Sequence, residues 1–246
     1  IMDQVKQLPC AKIVLTQQYA HMLETLQPGQ SWNQFGFMKC ITTSNKQKEY
    51  VERVMRQASF DILEPYITDT FKPKTTPSMP IIGIHTKEQS DAINIIKTFY
   101  LKFPQYRWFT FRDLRGLSEK EFANSVSDCF LTAWIDDHSG FGTFPLESMK
   151  SNVPVIGKVP NLAPDWMTEE NGIWITDKTL FADVIADFVQ NWLEDNINPS
   201  IYEEMKKTVD QFSDKHKFES TVVTLFGGYL NSRADSFEQQ ISKTEE

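Results

Sequence analysis

Residues 133–160, AWIDDHSGFGTFPLESMKSNVPVIGKVP, decide the fold. Ala133–Ile135 complete an apolar run, CFLTAWI (Cys129–Ile135), short enough to be a buried strand. A loop with Gly140 and Gly142 follows, the helix FPLESMKSN starts almost at once, and VPVIGKV is the next strand. Strand, glycine loop, helix and strand at this spacing form a βαβ unit, which implies a parallel sheet covered by helices. In an open parallel sheet, ligands bind beyond the carboxyl ends of the strands. The helix starting at Gly142 and Thr143 offers backbone N–H groups and a positive dipole end, suited to a diphosphate. The glycines let such a group come close. Glu147, one turn further on, can accept hydrogen bonds from the vicinal hydroxyls of a sugar.

The alternation continues on both sides. Upstream, PIIGIHT is a strand, Ala92, Ile95, Ile96, Phe99, Tyr100 and Phe103 share one helical face, and YRWFTF is a second strand. Ser118 and Glu121 make a capping box for the next helix. Downstream, GIWIT is a strand and Asp177 caps a helix with Phe181, Val184, Ile185, Phe188 and Trp192 on one face, while Pro199 opens a last helix. Residues 76–212 therefore form a Rossmann-like α/β domain. The run DTFKPKTTPSMP, with Pro73, Pro77 and Pro80, reads as a linker. Ahead of it lie three strands, Ala11–Gln18, Met38–Ser44 and Phe60–Ile67, fewer than a complete domain carries. Residues 1–75 thus read as the end of a second α/β domain plus linker. Residues 213–246 read as a tail with a turn at Gly227–Leu230 and frayed final residues, able to return to the first domain.

Composition narrows the classes. The 246 residues are 40% hydrophobic and 24% charged, with a net charge of −8, which disfavours a protein that tracks nucleic-acid backbones. No run approaches the length of a membrane span, and the opening residues lack the layout of a signal peptide. Cys10, Cys40 and Cys129 form no paired motif and read as buried thiols of a reducing cytoplasm.

The run 133–160 resembles retaining GT-B glycosyltransferases, family 4 above all. There a strand leads to Glu-x-Phe-Gly, a Leu-Glu-Ala/Ser-Met helix and a Pro-Val-Ile strand. Phe141, Gly142, Leu146, Glu147, Met149, Pro154, Val155 and Ile156 fall in register, and EPYITDTFKP is similar to the family's interdomain passage. The likeness covers residues 60–195. It implies the nucleotide-sugar-binding domain of a glycosyltransferase preceded by the end of the acceptor-side domain, with the rest of that domain, or a neighbouring chain, as partner. By this resemblance Glu147 matches the second glutamate of a Glu–seven residues–Glu motif that holds the ribose. The first glutamate, usually near the donor sugar, is Ser139 here. The family's basic residues for the diphosphate find a counterpart in Lys87, beside His85 but not in the usual order. The implied reaction moves a sugar from a nucleotide-sugar donor to an unidentified acceptor with retention, without cofactor or metal, in agreement with the lack of an Asp-x-Asp. Developing charge on the leaving diphosphate is then met by cations and N–H groups.

Other candidates have plainer readings beside the functional one. Arg112 and Arg115 either wall the donor site or pair with Asp113 at the surface. Lys158 reads first as a solvent-facing lysine. Asp136, Asp137 and His138 are consecutive and point alternately, so they do not share a metal. An acidic pair here does not make a phosphorelay receiver, because Thr86 and Lys87 follow the first strand. Trp108, Trp134 and Trp192 read as core. Two alternatives to the enzyme stay open: a non-catalytic module binding a nucleotide or phosphosugar, and a DNA-modifying glucosyltransferase, the latter opposed by the charge.

Overall fold

The fold was analysed in a computed structural model that describes residues 2–8, 10, 12–15, 18, 23–55, 60–75 and 79–244. Contacts divide the chain into two compact units, Ile1–Tyr66 with Asp214–Glu246, and Ile67–Ser213.

The first unit opens with one helical turn, Met2–Lys6 (α1), followed by parallel strands β1 (Lys12–Leu15), β2 (Phe37–Thr42) and β3 (Phe60–Ile62) in the order β1-β2-β3. Ala11, Thr16 and Gln17, expected in the first strand, lie outside the described residues. After β2, Ser44 caps α2 (Asn45–Val54) by accepting from the Gln47 N–H at 3.2 Å. The helix Lys215–Thr244 completes this unit. Its Phe218, Val222, Leu225 and Tyr229 pack with Ile13, Ile41 and Leu63, and the Tyr229 hydroxyl donates to Asp61 at 2.6 Å. The expected turn at Gly227 does not form. Two glycines cost a helix about 1 kcal/mol each, and Tyr229, the residue directly after them, anchors the helix at this point through Asp61.

In the second unit β4 (Ile81–Thr86), α3 (Gln89–Lys102), β5 (Thr110–Asp113), α4 (Glu119–Asp128), β6 (Leu131–Ile135), α5 (Thr143–Lys150), β7 (Val155–Lys158), β8 (Ile173–Ile175), α6 (Phe181–Leu193) and α7 (Ser200–Asp210) follow in turn. The five strands are all parallel, in the order β5-β4-β6-β7-β8. This is the α/β architecture with a Rossmann-like parallel sheet flanked by helices expected from the alternation. Strand β6 is buried on both faces. Leu131, Ala133 and Ile135 join one core with α3 and α6, while Trp134 joins another with α4, α5 and α7.

Several details depart from the sequence reading. The unit boundary falls at Tyr66/Ile67 because Ile67 and Phe71 are buried in the second unit's core and the Ile67 N–H donates to the Phe212 carbonyl. Lys150 also donates to the Ile67 carbonyl at 2.6 Å. The proline run therefore begins as a packed strap. Trp108 is 51% exposed, although its ring lies 4.1 Å from that of Phe109; Trp134 is buried and Trp192 partly so. Cys10 is exposed, whereas burial pushes the Cys40 and Cys129 thiols up to about 11 and about 12.

Gly83, in the middle of β4, has no room for a side chain: a Cβ would meet Leu114 Cδ1 at 2.7 Å and Cys129 Sγ at 3.0 Å. Gly83→Ala is expected to lower the unfolding free energy by about 1–3 kcal/mol, the usual cost of overpacking. Urea denaturation checks this, and an unchanged midpoint would show that the α4 side of the sheet is loosely packed.

Candidate functional site

Strand β4 is followed in sequence by its neighbour on one side, β5, and then by its neighbour on the other, β6. The connections leaving β4 and β6 therefore diverge, opening a crevice at their carboxyl ends where such sheets take ligands. Two segments meet there, His85–Glu88 at the end of β4 and Asp136–Gly142 after β6.

The second loop ends on Gly142, which has φ of 76° and ψ of 65° and stands at the N-cap of α5. This left-handed conformation favours glycine. The surroundings are tight as well, since a Cβ would come within 3.1 Å of Trp166 and 3.3 Å of Trp134. No side chain caps the helix, so the dipole end and the first-turn N–H groups, with Thr143 first among them, are available to an anion. Trp166 Nε1 donates to the Phe141 carbonyl at 2.8 Å and holds the loop from behind. Buried Asn171 holds the tryptophan in turn, donating to the Trp166 carbonyl and to Thr208 Oγ1, while its Oδ1 accepts from Thr168 N and Trp174 Nε1. Sequence reasoning missed Trp166 and Asn171. Their signal is spatial, because they lie more than twenty residues from the loop they brace.

Glu147 is half-buried on α5, and among the described residues its carboxylate has no hydrogen bond or ion pair. Burial, and secondarily the carboxylate of Glu119, push it up to about 7. A carboxyl held in such surroundings at a loop cluster is the mark of a functional position. Ser139 is buried in the same loop. Lys87 is more than half exposed, with Nζ 3.9 Å from the buried Asp136 carboxylate, and is the cation of the β4 loop.

The remaining charges are mostly committed. Asp137 is clamped by Lys158 and by Lys178, the latter at 2.9 Å, and Lys178 reaches Asp91 at 2.9 Å as well. Lys158 is thus a structural partner, its side chain only 15% exposed, and does not face solvent freely. Arg115 forks onto Asp113 at 2.6–3.1 Å after β5 and holds that carboxyl below its usual range. Arg112 is drawn the other way, to Asp128 at 3.0 Å and the Ser125 carbonyl. Asp128 ends α4, and its carbonyl accepts from Met79 just before β4, so Arg112 sits at the amino edge of the sheet. Lys87 reaches Asp136 of the loop that carries Ser139 and Gly142, Thr143 and Glu147 lie on the helix that follows, Arg115 follows β5, and the Arg112 guanidinium is turned to Asp128. Among the described residues no group of three His, Cys, Asp or Glu side chains could hold a metal ion, and no helix is long and apolar enough to cross a membrane.

No family model matches the chain. Over 212 residues, 81% of its length, it is 24% identical to an α-1,6-glucosyltransferase of Actinobacillus pleuropneumoniae serotype 7 (strain AP76), of which it spans 62%. Among solved structures it is similar to sucrose-phosphate synthase of Thermosynechococcus elongatus, with a TM-score of 0.68 at 12% identity, over 94% of this chain and 70% of that one. It is likewise similar to Anabaena HepE in complex with UDP and glucose, with a TM-score of 0.62 at 10% identity, over 88% of this chain and 71% of that one. The pneumococcal O-GlcNAc transferase GtfA, in complex with UDP and GlcNAc, gives a TM-score of 0.61 at 12% identity, over 92% and 54%. The fold is that of the GT-B glycosyltransferases.

The raised Glu147 value has a definite consequence for stability. The folded chain binds this proton more tightly than the unfolded chain, so the stability linked to it is complete below the unfolded value of about 4.5 and is lost as pH rises through about 7. Glu147→Gln removes the titration. The variant is expected to match the parent near pH 5 and to be the more stable at pH 8.5 by on the order of 1–3 kcal/mol. Denaturant titrations at the two pH values check this, and a difference independent of pH would contradict it.

Proposed function

We propose that this chain carries the nucleotide-sugar-binding part of a glycosyltransferase, which moves a sugar from a nucleotide diphosphate to an acceptor with retention of anomeric configuration. One observation carries the reading: an α-helix amino end with no side-chain cap stands at the crevice of a parallel sheet, one turn from a half-buried carboxylate that has no hydrogen bond or ion pair among the described residues. The helix end suits a diphosphate and the carboxylate suits the paired hydroxyls of a ribose. The Actinobacillus relative, an α-1,6-glucosyltransferase, supports a glucosyl donor, and the UDP complexes of HepE and GtfA support a uridine nucleotide. Gly142, Thr143, Ser139, Glu147 and Lys87 form the donor site in this reading, with Arg115 at its rim. In this reading residues 67–213 correspond to the donor domain, 1–66 to the end of the acceptor-side domain, and 214–246 to the segment that returns to it. The chain spans 62% of that relative, so the transferase activity and the acceptor belong to this proposal. Transfer is expected to need no metal or cofactor and to proceed in the cytoplasm.

A second reading, a binding module without transferase activity, is favoured by Ser139 at the position of the first motif glutamate. Nucleotide binding together with turnover separates the two. UDP is expected to bind, and Glu147→Ala to weaken binding by about 1–3 kcal/mol, the range for a charged hydrogen-bond partner. Calorimetry on a folded variant checks this, and equal affinity would remove Glu147 from the site. UDP-glucose consumption is expected to persist in EDTA. Activity abolished by the chelator and restored by Mn²⁺ would reject metal independence, and UDP binding without any turnover would favour the module.

A further inference from the structure

His85 is the penultimate residue of β4, at the switch-point crevice, paired in register with Trp134 of β6. Its ring stacks on Phe144, the second residue of α5, at a centroid distance of 4.8 Å and an interplanar angle of 21°. The imidazole is therefore held in one plane beside the helix end assigned to the diphosphate. Nδ1 is sealed from solvent and has no hydrogen-bond partner, while the ring as a whole is only partly buried, which leaves Nε2 as its open nitrogen.

A sealed nitrogen without an acceptor tolerates a lone pair better than an N–H, which would lose its hydrogen bond to water without replacement. That selects the neutral tautomer with the proton on Nε2 and disfavours the imidazolium, which carries N–H on both nitrogens. The charges around the ring come from three loops: Lys87 after β4, Asp113 and Arg115 after β5, and Asp136 after β6. Burial, followed by Lys87, outweighs the two aspartates and holds the imidazole below its usual value.

We propose that His85 binds the distal phosphate of the nucleotide diphosphate as an uncharged hydrogen-bond donor, through Nε2–H, taking part of the role otherwise given to a cation at the end of this strand. The inference rests on the donor-site reading above. It assigns the site's positive charge to Lys87 and the helix end, and leaves His85 to discriminate by geometry.

The test compares UDP with UMP by calorimetry on the 246-residue chain at pH 7.5, with His85→Phe and His85→Gln. His85→Phe is expected to weaken UDP about tenfold while leaving UMP within about twofold, and His85→Gln, a neutral donor of similar reach, to keep UDP within about threefold. Histidine ¹⁵N spectra of the unaltered chain are expected to show His85 as the neutral Nε2–H tautomer with and without UDP. UDP binding that ignores His85→Phe, or an imidazolium in the UDP complex, would overturn this inference alone. Failure of the unaltered chain to bind UDP would overturn the donor-site reading and the inference with it.

Discussion

The contact between Trp134 and two glycines governs the carboxyl edge of the larger sheet. Trp134 stands on the central strand β6, and its ring would lie 3.3 Å from a Cβ at Gly142 and 3.2 Å from one at Gly157, where Trp174 would come closer still at 2.5 Å. Close packing of this kind leaves no slack for an alternative loop path, because interiors pack as densely as organic crystals. The glycine loop is consequently pressed between Trp134 below and Trp166 behind, with its Phe141 carbonyl tied to the Trp166 indole. The start of α5 is fixed by these apolar surfaces, and no side-chain cap is used. An amino end held by a cap has donors already satisfied. One held by packing keeps them for a ligand.

Electrostatics at the same edge follow a similar division. Lys158 and Lys178 close on Asp137, and Arg115 closes on Asp113, so these charges stiffen the loops. Single pairs at a protein surface add little stability, but the partly buried Asp91–Lys178–Asp137–Lys158 chain joins α3 to the ends of β6, β7 and β8. Against that neutralised frame Glu147 stands out as a carboxylate without a cation, at a cost to the folded state that no local contact offsets. Tolerated cost at a crevice is what separates this residue from an ordinary surface glutamate.

The parts legible in the sequence are those set by local pattern. Strand β6 is apolar but for Thr132 because both its faces are covered, and α6 shows its face as Phe181, Ile185 and Phe188 at helical spacing. The Ser118–Glu121 box is visible as letters and is formed, with Glu121 accepting from the Ser118 N–H at 3.1 Å. Misreadings occurred where a partner distant in sequence decides. Gly227 looks like a turn until Tyr229 is tied to Asp61 across 168 residues of chain. Trp108 looks like core, yet the strand begins only at Thr110, after a 3-10 turn at Pro104–Tyr106, and leaves the indole half exposed.

Periodicity, glycine spacing and capping letters were sufficient for the alternation of strands and helices, the parallel sheet and the loop with its following helix. These depend on interactions within about ten residues, where backbone geometry links spacing directly to facing. The strand order, and with it the crevice between β4 and β6, arose only when the chain packed, since the same alternation is compatible with several orders. So did the bracing by Trp166 and Asn171, the partner of each lysine, the isolation of Glu147 and the sealed nitrogen of His85. Burial and ion pairing are properties of neighbours in space, and a residue's neighbours in space are chosen by the fold.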